Sequence, residues 1–281
     1  MEVSNDGLYA PEVGSWANEK HEVVSLYAKL FSTGMKNKWD ERVYVELYAG
    51  AGYAKIKDTS RWVAGSPIRA LLLPDPFDKY IFCDADPRNL EALKLRVNRI
   101  APAANVSFIE GDCNERIEEI LATIPAHSRN RRVLSLCFVD PFDIGIKFVS
   151  LERLSSKFMD FMVLLALYMD AARNQDNYVR EEATKVDEFL GRGDWRGEWT
   201  SRRTMGIPFP QFLAEEFSRS MERLRFKPQP FYKMKKIIFP DKNYPLYRLA
   251  LFSRDSMAYG FWDEVLKYST DQLFLGGDSW Q

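Results

Sequence analysis

Cysteine and histidine are scarce in this 281-residue chain, at three and two residues. Cys83, Cys113 and Cys137 lie far apart with no C-x-x-C pair, so neither a disulfide framework nor a zinc site is suggested. They read as reduced structural thiols. His21 and His127 sit in unrelated contexts, which removes a His-rich metal centre. No apolar run reaches the roughly 18 residues that a membrane span needs, and the longest candidate, 158–169, contains Asp160. The start of the chain carries Glu2 and Asp6 and no apolar signal core, so a cytoplasmic protein is expected. No Cys-His, Ser-His-Asp or paired-Glu constellation competes for catalysis.

Neither charge sign dominates, with 39 Lys/Arg against 40 Asp/Glu. Within 191–249, however, 13 Lys/Arg face 6 Asp/Glu. Such a bias marks either a polyanion surface or a solvated helical face. At 46% hydrophobic residues, the chain has material for one large α/β domain, or a domain with an appended subdomain.

Residues 16–31 place Val23, Val24, Tyr27, Leu30 and Phe31 at helical spacing. A β-branched and aromatic strand, 42–48, runs straight into Ala49-Gly50-Ala51-Gly52. After a polar stretch, Ser66 is expected to cap a helix with Pro67 in its first turn. Strand 79–83 and helix 87–100 follow, then strand 105–109, helix 114–124, and strands 132–139 and 158–167. Strands that alternate with helices and are apolar on both faces imply a mostly parallel, doubly wound, Rossmann-like α/β sheet. Beyond it come a polar helix at 176–190, a Gly, Trp and Arg-rich connection at 191–210 and a helix at 211–225. An antiparallel hairpin (231–239 and 244–253 around Pro240-Asp241-Lys242-Asn243) and a last helix at 258–268 complete the chain. The expected parts are a helical cover at 1–40, a cofactor-binding core at 41–175, a basic helical insertion at 176–230, and a hairpin and helix at 231–281 that close the same sheet.

In a doubly wound sheet the ligand lies beyond the carboxyl ends of the strands. Glu46, Asp84, Asp86, Asp112 and Asp140 all fall there. Gly50 and Gly52 let backbone amides approach a ligand, with Tyr48 and Ala49 in the same loop. Asp84, or failing it Asp86, is placed for ribose hydroxyls, and Asp112, next to Cys113, for an adenine amine. Gly65 and Ser66 would meet the methionine end. Any one of these acids could instead be a helix cap. S-adenosylmethionine is favoured over a nicotinamide because no compact G-x-G-x-x-G opens a helix and because an antiparallel hairpin closes the sheet.

Trp16 with Glu19-Lys20, the 46–52 run, Gly65-Ser66-Pro67, Gly111-Asp112-Cys113-Asn114 and Val139-Asp140-Pro141-Phe142 resemble the three-Cys-motif partner (TcmP) family. That resemblance implies a methyltransferase-like fold, S-adenosylmethionine binding and a three-Cys-motif protein as partner in a bacterial mobile-element or defence setting. Glu46 stands where many members have Asp, and Asp143 follows Phe142 where Gly is common. Asp140-Pro141-Phe142 also resembles the D/N-P-P-Y/F signature of amino-methyltransferases, without its second proline. By that likeness Asp140 orients an exocyclic amine and Phe142 stacks on an extruded base; otherwise Asp140 caps a strand end and Phe142 packs in the core. Arg173 would contact a phosphate or pair with a nearby acid, and Trp195, Trp199 or Phe209 would stack on bases of a nucleic acid. A catalytically silent cofactor-binding scaffold, or a Mg²⁺-dependent hydrolase using the acidic rim, are the other functions open to such a sequence.

Overall fold

The computed structural model describes residues 1–239 and 244–275. Its main sheet has seven strands: β1 Glu41–Glu46, β2 Lys79–Asp84, β3 Val106–Glu110, β4 Val133–Val139, β5 Met159–Leu165, β6 Lys235–Phe239 and β7 Tyr244–Phe252. Their order is β3-β2-β1-β4-β5-β7-β6. The first five are parallel. β7 pairs antiparallel to both β5 and β6, so the expected hairpin is present; its turn at 240–243 lies outside the described residues.

Every residue of β1, β4 and β5 is buried, because both faces of the sheet are covered. Side chains alternate between two apolar layers. Val43 and Val45 face the layer built by α4 Ile117–Thr123, α5 Phe148–Leu154, α7 Lys185–Leu190, α8 Trp195–Thr204 and α9 Phe209–Arg223. Tyr44 faces the other, from α1 Trp16–Met35, α2 Ser66–Leu71, α3 Pro87–Ile100 and α10 Ser256–Leu275. The three cysteines are free and buried in the first layer. No helix among the described residues is long and apolar enough to cross a membrane.

Helix α3 shows how local chemistry sets a boundary. Asp86 caps it by accepting the Arg88 amide at 2.9 Å, and Pro87 supplies a first-turn residue that needs no donor.

Elsewhere the chain departs from the sequence reading. The polar stretch after the glycine loop is a hairpin, Tyr53–Ile56 with Trp62–Ala64. It joins the short strands Glu2–Val3 and Glu12–Val13 in a four-stranded sheet. Arg96, 1% exposed, ties this sheet to the core. It donates to Asp6 at 2.7 and 2.9 Å, to the Tyr9 carbonyl and to the Ala51 carbonyl at 2.6 Å. Region 176–190 is two pieces, α6 Gln175–Tyr178 and α7, and the 191–210 connection contains α8.

Trp195, Trp199 and Phe209 are buried, each indole in ring contact with both Phe209 and Phe212, and cannot stack on a nucleic acid. Much of the basic bias nearby is consumed by ion pairs: Arg192 with Asp194, Glu198 and Glu216, Arg196 with Asp187, and Arg202 with Glu215. Trp195→Ala is expected to cost about 3–5 kcal/mol of stability, as for a large aromatic removed from a packed interior. Urea unfolding measures it, and a loss under about 1 kcal/mol would place the ring outside the core.

Candidate functional site

Glu46, the last residue of β1, is 0% exposed. Among the described residues its carboxyl has two hydrogen-bond partners, both hydroxyls, Tyr44 at 3.1 Å and Ser66 at 2.5 Å. Burial pushes it well above the usual carboxylate range, the two hydroxyls pull against that, and nearby Asp140 adds to the rise.

The chain then turns through the glycine loop. The Leu47 amide donates to the Phe138 carbonyl and the Ala49 amide to the Cys83 carbonyl, pinning the loop to β4 and β2. Gly50 and Gly52 have φ of +64° and +82°. A Cβ on Gly52 would strike Leu93 at 2.8 Å, whereas a Cβ on Gly50 would meet nothing within 4 Å. Gly52 is thus a packing glycine, and Gly50 turns bare backbone to open space. The excursion through 53–64 returns where the Gly65 amide donates to the Gly52 carbonyl at 2.7 Å. Gly65, rather than Ser66, caps α2; Ser66 lies in its first turn with its hydroxyl spent on Glu46.

The two acids after β2 separate by role. Asp84 accepts the Gly50 amide at 2.7 Å on Oδ2, and the Asp86 amide and Asn89 side chain on Oδ1. Asp86 is turned to α3 and to Arg88, at 2.7 Å. Asp112 is exposed, and its Oδ1 accepts from Asn114. Cys113 is buried against the Tyr48 hydroxyl, its thiol pushed up to about 12 by burial. Asn114 bridges onward to the loop after β4 through the Gly145 carbonyl, the Lys147 amide and the Ser150 hydroxyl.

At the end of β4, Asp140 Oδ2 accepts Lys20 Nζ at 2.5 Å, with both side chains nearly buried at 14% and 13% exposure. Burial raises the Asp140 carboxyl, and Lys20 holds it down. Pro141 is buried but Phe142 is 86% exposed, so its ring does not pack in the core. The rest of this loop is anchored by Asp143 to Lys185 at 2.6 Å and by the Ile144 amide to Asp170 at 2.9 Å. Arg173 is exposed and makes no ion pair among the described residues. It lines a cavity of about 250 Å³ with Trp16, Met169, Phe239, Tyr244 and Leu246. Beside it, burial pushes the Tyr247 phenol up to about 12, the Asp140 charge adds to the rise, and Trp16 hydrogen-bonds to the phenol.

Lys20 and Tyr247 are site residues that motif reasoning does not assign. Lys20 belongs to the Trp16 with Glu19-Lys20 motif, and its i,i+4 spacing puts it on one face of α1 with Trp16, but neither signal points to Asp140.

Five parallel strands with an antiparallel β7 inserted between β5 and β6, helices on both faces and a glycine loop after β1 define a Rossmann-like, class I methyltransferase-like fold. No protein-family model matches the chain, and no curated protein matches it. Among solved structures it is similar to protein LPL1258 of Legionella pneumophila, at 13% identity over 94% of this chain and 95% of that one, with a TM-score of 0.54. A putative O-methyltransferase of Klebsiella pneumoniae aligns at 12% identity over 85% and 88%, TM-score 0.45. The O-methyltransferase TomG of Streptomyces achromogenes, solved with S-adenosylmethionine, aligns at 13% over 80% and 79%, TM-score 0.43.

The raised Glu46 carboxyl gives a signed pH effect. The folded chain keeps this proton at pH values where the unfolded chain has released it. Its contribution is therefore complete below the usual carboxylate range and is lost as pH rises toward the folded-state value. Glu46→Gln cannot ionise. Between about pH 5 and about pH 8 the wild type should lose more stability than the variant in urea unfolding, and parallel curves would contradict the assignment.

Proposed function

We propose that this protein is an S-adenosylmethionine-dependent methyltransferase acting on an exocyclic amine of a nucleic acid. The observation that carries the proposal is Gly50: its backbone faces open space, its amide is fixed by Asp84, and the loop lies on the same rim as Asp140 and the Arg173 cavity. Open backbone at a strand end flanked by two carboxylates fits an adenosyl group. In this reading Asp84 accepts from the ribose hydroxyls and Asp112 from the adenine amine. Tyr48, Ala49, Gly52, Gly65, Ser66 and Cys113 shape the loop, and Asp86 supports it through α3.

The bound cofactor supplies an already activated methyl group. The chain's own task is alignment and exclusion of water. Asp140 orients the acceptor by taking its N–H, Phe142 offers a ring to a base taken out of its stack, and Arg173 holds an adjoining phosphate. A cytoplasmic location goes with such a substrate.

One observation favours a second reading. Asp140 Oδ2 is already occupied by Lys20, as suits a cofactor-binding scaffold that does not transfer methyl. There the TcmP-like motifs would point to a three-Cys-motif protein as the bound partner in a mobile-element or defence system.

Labelled-methyl transfer to DNA, RNA and such a protein separates the two. Methyl incorporation into a nucleic acid is expected. Asp140→Asn should lower it about a hundredfold and Phe142→Ala about tenfold, with cofactor affinity unchanged. Cofactor binding without transfer to any of the three supports the scaffold.

A further inference from the structure

At the opposite edge of the main sheet from the cofactor rim, the N-terminal ends of β4 and β5 open onto a second cavity, of about 410 Å³. That volume is within the range of small-molecule sites. Phe31 and Met35 of α1, Leu134 of β4, Met159 of β5 and Phe261 of α10 give it apolar walls. Asp160, the second residue of β5, places one carboxyl in them, and the Ser253 hydroxyl is its hydrogen-bond partner. On α1, the Tyr27 hydroxyl is fully buried with no hydrogen bond, and Asp160 is the charge that acts on it most strongly. Buried polar groups normally find partners. A carboxyl in an apolar wall must hold either a proton or a cation.

The other charged groups nearby do not supply that cation. Arg254, in the same lining, draws the Asp160 carboxyl down from a distance but forms no ion pair with it: its guanidinium donates to the carbonyls of Ser155 at 2.8 Å and Leu224 at 3.1 Å and lies over the Phe226 ring. Lys227 is exposed at the rim. Asp255 adds a second negative charge and caps α10 through the Met257 amide. The Tyr259 hydroxyl is occupied by the Lys227 carbonyl.

We propose that this cavity is a second ligand site, for a small molecule with an aromatic or aliphatic body and one protonated amine, seated with the ammonium on Asp160. Nothing in it depends on methyl transfer. Burial raises the Asp160 carboxyl to about 7, so the ammonium takes the place of a proton that leaves to solvent. Binding should therefore strengthen as pH rises through that value.

The test is calorimetric titration of the full chain with tryptamine and with indole-3-propionate, which carries the same ring and linker but ends in a carboxylate. Tryptamine should saturate the protein with a Kd of about 1 mM or tighter. It should bind about tenfold better at about pH 8 than at about pH 6, and Asp160→Asn should weaken it at least about tenfold. Indole-3-propionate should not bind. Should Asp160→Asn fail to show a cooperative melt, Met257→Trp, at the partly exposed mouth, keeps the test open: it should block tryptamine with the melt intact. Failure of tryptamine to saturate, equal binding of the carboxylate, unchanged binding to folded Asp160→Asn, or unchanged binding to Met257→Trp would each overturn the proposal.

Discussion

The carboxyl group of Glu46 is fully buried at the end of the central strand with no ion-pair partner among the described residues, and the local path of the chain follows from that constraint. Two hydroxyls satisfy it. Tyr44, two residues earlier, points the same way because strand side chains alternate. Ser66 must be delivered from beyond the hairpin, so α2 has to begin directly above β1. The Gly65 to Gly52 backbone bond then closes the excursion, and the glycine loop is held open between β1 and α2. A single buried acid thus couples the end of the sheet, the start of a helix and the shape of the rim.

Charge is distributed over the rim in the same manner, with most acids committed to a particular neighbour. Asp84 secures the loop, Asp86 secures α3, and Asp140 meets Lys20 across 120 residues of sequence. An ion pair this sheltered stands in less screened surroundings than a surface pair, and removing one partner leaves a costly buried charge. It also fixes α1 over the rim beside Asp140, where Trp16 lines the cavity. Arg96 does the equivalent for the amino-terminal strands, reaching from α3 to Asp6 and to the Ala51 carbonyl beneath the loop.

The parts of this fold that could be read from sequence are those with a local cause. β4 is apolar throughout because both its faces are covered. Helix α3 starts at Pro87 because Asp86 caps it, and the acids at the strand ends were visible as soon as the strands were. What escaped has non-local causes. The Tyr53–Ile56 and Trp62–Ala64 strands are too short and too mixed to show alternation, and they pair with segments of two residues far along the chain. Trp195 and Trp199 stand in an Arg and Gly-rich stretch that reads as surface. Their burial depends on Phe209 and Phe212 of the next helix. A count of basic residues likewise overstates a free basic face, because it cannot register that Arg192 serves three carboxylates at once. The Lys20 to Asp140 contact has no counterpart in any window of sequence.

Two halves of one rim emerge from these constraints: open backbone at Gly50 beside Asp84 and Asp112, and, past Asp140, a cavity bordered by Trp16 and Arg173. That the first half receives an adenosyl cofactor is the claim on which the proposed chemistry stands. Its most direct test is calorimetric titration of the wild-type protein with S-adenosylmethionine. The expected result is saturable binding of a single equivalent. No saturable heat, together with a melting temperature unmoved by excess ligand, would contradict it.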